Sequence, residues 1–168
     1  MNVLLIEPSY KNKRAKNLPI SLQKMATYFL EKGDDVSFYK GNIPIGDIGF
    51  FQKEKKKIDL ICITTVFVFH YKIVLECIFH YKKFFPKAEI RVGGIFASLM
   101  PEYIKEKTGI TPHIGVWPEV ENCLANFDLF KNNKDYQYND TYGIIFTSRG
   151  CVRKCAFCSV RVLEPKFF

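Results

Sequence analysis

At 168 residues with 48% hydrophobic side chains, the chain is long enough for one domain with a real core and needs no disulfide framework. A net charge of +8 suits an anionic partner, but the densest lysine run, at 53–57, is broken by Glu54 and reads as a solvated loop or helix end, so nucleic acid is set aside. No apolar run approaches the roughly 20 residues that span a bilayer, and the N-terminus lacks a charged leader and a cleavage site, so a cytoplasmic protein is expected whose six cysteines are thiols or metal ligands.

Residues 3–7 form a nearly continuous apolar run, as in a strand buried on both faces. After a polar, basic loop over 8–18, Pro19 opens a helix whose Leu22, Met25, Ala26, Phe29 and Leu30 recur at the helical period, and Gly33 ends it in a left-handed cap. Residues 36–39 read as a second strand, 41–49 as a glycine-rich loop, 50–57 as a short helix and 58–64 as a third buried strand. A helix over 71–85 places Val74, Cys77, Ile78 and Tyr81 on one face and stops at Pro86. A fourth strand at 89–92 leads into Gly93-Gly94, a short helix covers 101–107, and 113–116 is a weak fifth strand. Pro118 starts a further helix with Glu119 and Glu121 in its first turn, where acidic residues suit the dipole.

Strands alternating with helices predict an α/β fold: a mostly parallel five-stranded sheet, helices on both faces, occupying 1–127. The Asn-rich stretch 128–142 reads as a linker, and 143–147 as a sixth strand leading into the cysteine-rich end of the chain.

That end carries Gly150-Cys151-Val152-Arg153-Lys154-Cys155-Ala156-Phe157-Cys158, a C-x3-C-x2-C spacing. Closely spaced thiolates on a loop converge on one metal centre. A structural zinc site usually needs four ligands, and no second knuckle lies nearby; three thiolates fit a [4Fe–4S] cluster with one iron left open. Zinc, or cysteines without a metal role, remain the other readings of the spacing.

The segment from Thr147-Ser148-Arg149-Gly150-Cys151 to Cys158-Ser159, with Phe157 before the third cysteine and a strand ahead, resembles the start of the radical S-adenosylmethionine (SAM) superfamily. The first domain resembles the cobalamin-binding-type, Rossmann-like (flavodoxin-like) domain that precedes the radical SAM barrel in one subfamily. The matching pieces are Val3-Leu4-Leu5-Ile6-Glu7-Pro8, the Pro19 helix, Gly33, Val92-Gly93-Gly94 and Met100-Pro101-Glu102. The resemblance implies that Cys151, Cys155 and Cys158 each bind one iron, that SAM chelates the fourth, and that Phe157 lines the adenine side through its backbone. It implies reductive SAM cleavage to start radical chemistry, fed by an electron donor such as flavodoxin or ferredoxin, on a substrate the sequence does not identify. Residues 143–168 would be the first strand and cluster loop of an incomplete barrel, so the 168-residue chain alone is expected to be inactive.

Departures from the pattern matter. The loop after the first strand reads Glu7-Pro8-Ser9-Tyr10-Lys11-Asn12, with no histidine to ligate cobalt, which leaves room only for cobalamin without a histidine ligand. The alternative is a non-catalytic corrinoid- or partner-binding module with a vestigial or zinc-binding triad. Gly93 and Gly94 would let a cofactor approach at the carboxyl ends of the strands, or simply make a tight turn. Cys62, Cys77 and Cys123 read as packing, His70, His80 and His113 as surface or core, and Phe67, Phe69 and Tyr71 as a pocket wall or loop packing.

Overall fold

Strands β1 (Asn2–Glu7), β2 (Asp35–Lys40), β3 (Leu60–Thr65) and β4 (Glu89–Gly94) lie in the order β2-β1-β3-β4, and every pairing is parallel. The computed structural model describes residues 1–10, 19–44, 47, 57–131, 136, 146–153 and 155–167. The central strands β1 and β3 are the continuous apolar runs of the sequence, as a sheet covered on both faces requires. Their side chains alternate. Leu4, Ile6, Ile61 and Ile63 enter one core, while Val3, Leu5, Leu60 and Cys62 enter the other.

Helix α1 (Ile20–Glu31) covers the second core with Leu22, Ala26 and Phe29. It begins where the Pro19 carbonyl accepts the Leu22 and Gln23 amides at 2.9 and 3.1 Å. It ends at Gly33, whose φ of 77° lets the Gly33 and Asp34 amides turn back onto Leu30 and Phe29. The opposite face is covered by α2 (Tyr71–Phe84), which buries Val74, Cys77, Ile78 and Tyr81, and by α3 (Ile95–Leu99) and α4 (Pro101–Thr108). Each aliphatic side chain so buried contributes about 1.5–3 kcal/mol. The Tyr81 hydroxyl, inside this core, donates to the Gly41 carbonyl at 2.8 Å and ties α2 to the chain beyond β2. Burial drives the Tyr81 phenol well above its ordinary pKa. Short helices α5 (Pro118–Glu121) and α6 (Val160–Leu163) follow, with 3-10 turns at Val68–His70 and Asp128–Phe130.

The expectation of a fifth strand is corrected. The sheet has four strands among the described residues, not five. The stretch 113–116 gives β4 one backbone hydrogen bond, His113 N–H to the Val92 carbonyl at 2.8 Å, and Gly115 at φ 78° then breaks the extended run. Helix α3, which the sequence reading passed over, fills the space between Gly94 and Pro101. The short helix expected at 50–57 lies outside the described residues except for 57, and the strand expected at 143–147 except for 146 and 147, which are not strand. Within the stretch read as linker, Tyr136 is buried in the α1-side core. Its ring lies under the Lys40 ammonium at 4.1 Å and its hydroxyl donates to the Glu7 carboxylate.

The ends of β3 and β4 are locked by sequence-specific contacts. The Thr65 hydroxyl donates to the Gly93 carbonyl at 2.9 Å and accepts from the Ala97 amide at 3.0 Å. Gly94 has φ 103°, and a Cβ there would collide with the Thr65 carbonyl oxygen. Gly94→Ala is therefore expected to cost about 3 kcal/mol or more. Urea denaturation of the variant tests this, and a loss below about 1 kcal/mol would mean that the strand ends relax around the new methyl group.

Candidate functional site

Strand order reverses between β1 and β3, so α1 and α2 leave the sheet toward opposite faces and the carboxyl ends of the strands open a crevice, the usual ligand end of such sheets. Two features sit near these ends. At the end of β3, Phe67 and Phe69 stack at 5.0 Å, His70 stacks on Tyr10 at 4.3 Å, and Phe69 is 71% exposed. On the α1 side of β3 and β4 lies a cleft of about 960 Å³. Ligand pockets generally occupy roughly 300–1,000 Å³.

The cleft floor is Cys62, Thr64, Arg91 and Gly93, one side is α1 through Ser21 and Lys24, and Trp117 and Val120 extend it. Trp117 packs against Tyr28 and Phe29 at 5.3 and 6.2 Å, which fixes the approach to α5. Arg91 pairs with Glu89 at 2.7 Å, and that hydrogen bond holds its guanidinium above the ordinary pKa. Ser98 links the cleft to the strand ends: its hydroxyl donates to the Gly94 carbonyl at 2.8 Å and accepts from the Gly115 amide at 2.9 Å.

The remaining wall comes from both flanks of the cysteine loop: Phe146 and Arg149 before it, Val160, Leu163 and Glu164 after it. Arg149 stacks over Phe146 at 3.8 Å. Its Nε and Nη2 donate to the two Glu121 carboxylate oxygens at 3.2 and 2.5 Å, and its Nη1 donates to Glu164 Oε1 at 2.7 Å. The second Glu164 oxygen accepts the Gly150 amide at 2.7 Å. Lys24 completes the group, donating to the Glu121 carboxylate at 2.9 Å and to its backbone carbonyl at 2.7 Å. Burial pushes the Glu121 carboxyl up, but the hydrogen bonds from Lys24 and Arg149 outweigh it and leave the pKa below its ordinary value.

Within the loop, Gly150 takes φ 75°, and a Cβ there would strike the Lys166 carbonyl oxygen. The Arg153 amide donates to Cys151 Sγ at 3.4 Å, and the Cys158 amide closes a turn onto the Cys155 carbonyl at 3.1 Å. All three cysteines are free; Cys151 is exposed and Cys155 and Cys158 are half-buried. Phe157 is 93% exposed, pointing away from any packing role. Among the described residues no three His, Cys, Asp or Glu side chains converge closely enough to hold a metal ion, so the triad shares a loop without being gathered into a ligand set.

The structure thus brings Gly93 and Gly94 to the same cleft as the flanks of the cysteine loop, while Cys151, Cys155, Cys158 and Phe157 do not line it. Gly94 has the tight-turn role, whereas a Cβ on Gly93 would make only ordinary contact with His113 at 3.8 Å. Lys24, Glu121, Arg149 and Glu164 were missed as site residues. Glu121 lies in the first turn of α5, as its position in the sequence suggests, but its carboxylate is taken up by Lys24 and Arg149. No local pattern links it to an arginine 28 residues away.

The cysteines divide by environment. Burial pushes the Cys62 and Cys77 thiols up to about 12, so both stay protonated and shielded. Brief alkylation of the folded chain at about pH 8 is expected to label Cys151, Cys155 and Cys158 and to spare Cys62 and Cys77 until denaturant is added. Peptide mass spectrometry reads the outcome, and early labelling of Cys62 would contradict the buried sheet position. No protein-family model and no curated protein matches the chain.

Proposed function

We propose that the chain is the N-terminal portion of a radical SAM enzyme: a Rossmann-like, flavodoxin-type domain of the cobalamin-binding kind, followed by the cluster loop of the radical SAM domain. The observation that carries this reading is the C-x3-C-x2-C loop itself, with Gly150 ahead of it and Phe157 before its last cysteine.

The donor set fits the group. Three soft thiols lie on one loop, none in a disulfide and none committed to a core, in contrast to Cys62 and Cys77. Cys151, Cys155 and Cys158 would hold three irons of a [4Fe–4S] cluster. With SAM on the open iron, that centre supplies one-electron cleavage of SAM and access to radical chemistry. The chain's own part would be to carry the three thiols on one loop whose backbone is held locally. Gly150 supplies a left-handed residue at the loop entrance, the Arg153 amide supports the Cys151 sulfur, and the Cys155–Cys158 turn shortens the span between two ligands. The chain's net charge of +8 suits a small acidic electron donor of the flavodoxin or ferredoxin type.

A second reading is favoured by the cleft: a non-catalytic corrinoid- or partner-binding α/β module. The chain from Glu7 to Asn12 holds no histidine, so a corrinoid would bind without a histidine ligand to cobalt. Corrinoid titration separates this version, since saturable spectral change supports it and its absence removes it.

Anaerobic reconstitution with iron and sulfide tests the first reading. About four irons and four sulfides per chain are expected, together with the broad visible absorption of thiolate-bound iron. Cys155→Ala is expected to abolish uptake and leave cooperative unfolding of the α/β domain intact, because the loop lies outside both cores. Uptake of zinc in place of iron and sulfide would sink the proposal.

A further inference from the structure

We infer that Arg149 is a positioning residue that pins both ends of the cysteine loop to the α/β domain, an inference that rests on the radical SAM reading for what the loop holds. Arg149 stands directly before Gly150 and Cys151. One edge of its guanidinium makes a two-point contact with Glu121 on α5, and the remaining terminal nitrogen reaches Glu164 beyond α6. Glu164 in turn holds the Gly150 amide. The start of the loop and the chain that follows it therefore meet at one carboxylate, and that carboxylate is joined through Arg149 to a glutamate anchored by Lys24 of α1.

The composition of the group argues for positioning over ligand binding. Two cations, Lys24 and Arg149, face two anions, Glu121 and Glu164, and every oxygen of both carboxylates accepts at least one hydrogen bond. Charge is balanced inside the group, so it offers no spare valence to an anion. The side chains are 11–23% exposed, which limits screening by solvent and salt. A planar, three-nitrogen fork is needed to reach Glu121 twice and Glu164 once; a lysine ammonium is a single point charge and reaches one of them. Gly150 adds the steric half of the device, since its missing Cβ is what allows the Lys166 carbonyl to lie against the loop entrance.

Hydrogen exchange at the Gly150 amide reads the contact directly, and is measured in the wild-type chain, Arg149→Lys, Arg149→Ala and Glu164→Gln. Arg149→Ala is expected to speed Gly150 exchange roughly tenfold, equivalent to about 1.4 kcal/mol, with Arg149→Lys intermediate and the β1 and β3 amides unchanged. In reconstituted, reduced protein the same variants are expected to alter the electron paramagnetic resonance line shape, with Arg149→Lys partly restoring it. Unchanged Gly150 exchange in Arg149→Ala overturns the inference. Should Arg149→Ala fail to fold, Arg149→Lys and Glu164→Gln decide it by the same readout. A wild-type chain that takes up no cluster would sink the proposed function, and Gly150 exchange would still decide whether Arg149 holds the loop.

Discussion

The way β3 and β4 end governs what the rest of this structure can do. The Thr65 side chain spans the two strand ends through the Gly93 carbonyl and the Ala97 amide, and Gly94 can lie against Thr65 only because it has no side chain. Helix α3 starts from that junction, and Ser98 on α3 then captures the Gly115 amide. The chain from Gly115 to Trp117 is thereby delivered to the α1 face, where Trp117 packs and α5 presents Glu121. A single backbone constraint at a strand end thus propagates to the charged group that meets the cysteine loop.

That charged group is held differently from the cores. Apolar burial on the two sheet faces is non-directional and tolerates exchange of similar shapes, whereas the Glu121–Arg149–Glu164 contact is directional and stands or falls with each partner. Partly buried ion pairs contribute little net stability, because lost hydration offsets most of the attraction. Their value here lies in geometry: the guanidinium fork admits one arrangement of the loop ends. The sign of the pH dependence follows from Glu121. A carboxylate with a lowered folded-state pKa adds stability that is complete above its unfolded value and fades as the pH falls through the folded one, so acid loosens this contact and neutral pH preserves it.

Much of the α/β scaffold was legible in the sequence, for identifiable reasons. The runs in β1 and β3 are apolar because both faces are covered, Pro19 opens α1 with its fixed φ, and Gly33 ends α1 where a left-handed turn is needed. Helix α3 escaped notice because five residues are too few to display a helical period. The stretch at 113–116 looked extended from its side chains, but strand pairing depends on successive backbone bonds, and only His113 is aligned before Gly115 turns away. Tyr136 was hidden for another reason: one aromatic in a polar stretch carries no period, although its ring and hydroxyl find Lys40 and Glu7 across the fold.

The cysteine loop shows the same division between local and tertiary information. Ligand type and spacing are local, so three thiols at C-x3-C-x2-C can be read from the chain. Whether the sulfurs converge is tertiary, and among the described residues they do not form a ligand group. What the fold does arrange is the base of the loop, through Arg149, Gly150 and Glu164. A loop fixed at its base loses less conformational entropy when its side chains are drawn together than an unconstrained segment would, because its ends already meet. Under the proposed reading Cys151, Cys155 and Cys158 would be drawn together on binding iron, because metal binding at such sites supplies folding free energy. The fold therefore fixes the base of the cysteine loop, and under the proposed reading the convergence of Cys151, Cys155 and Cys158 would come with the metal.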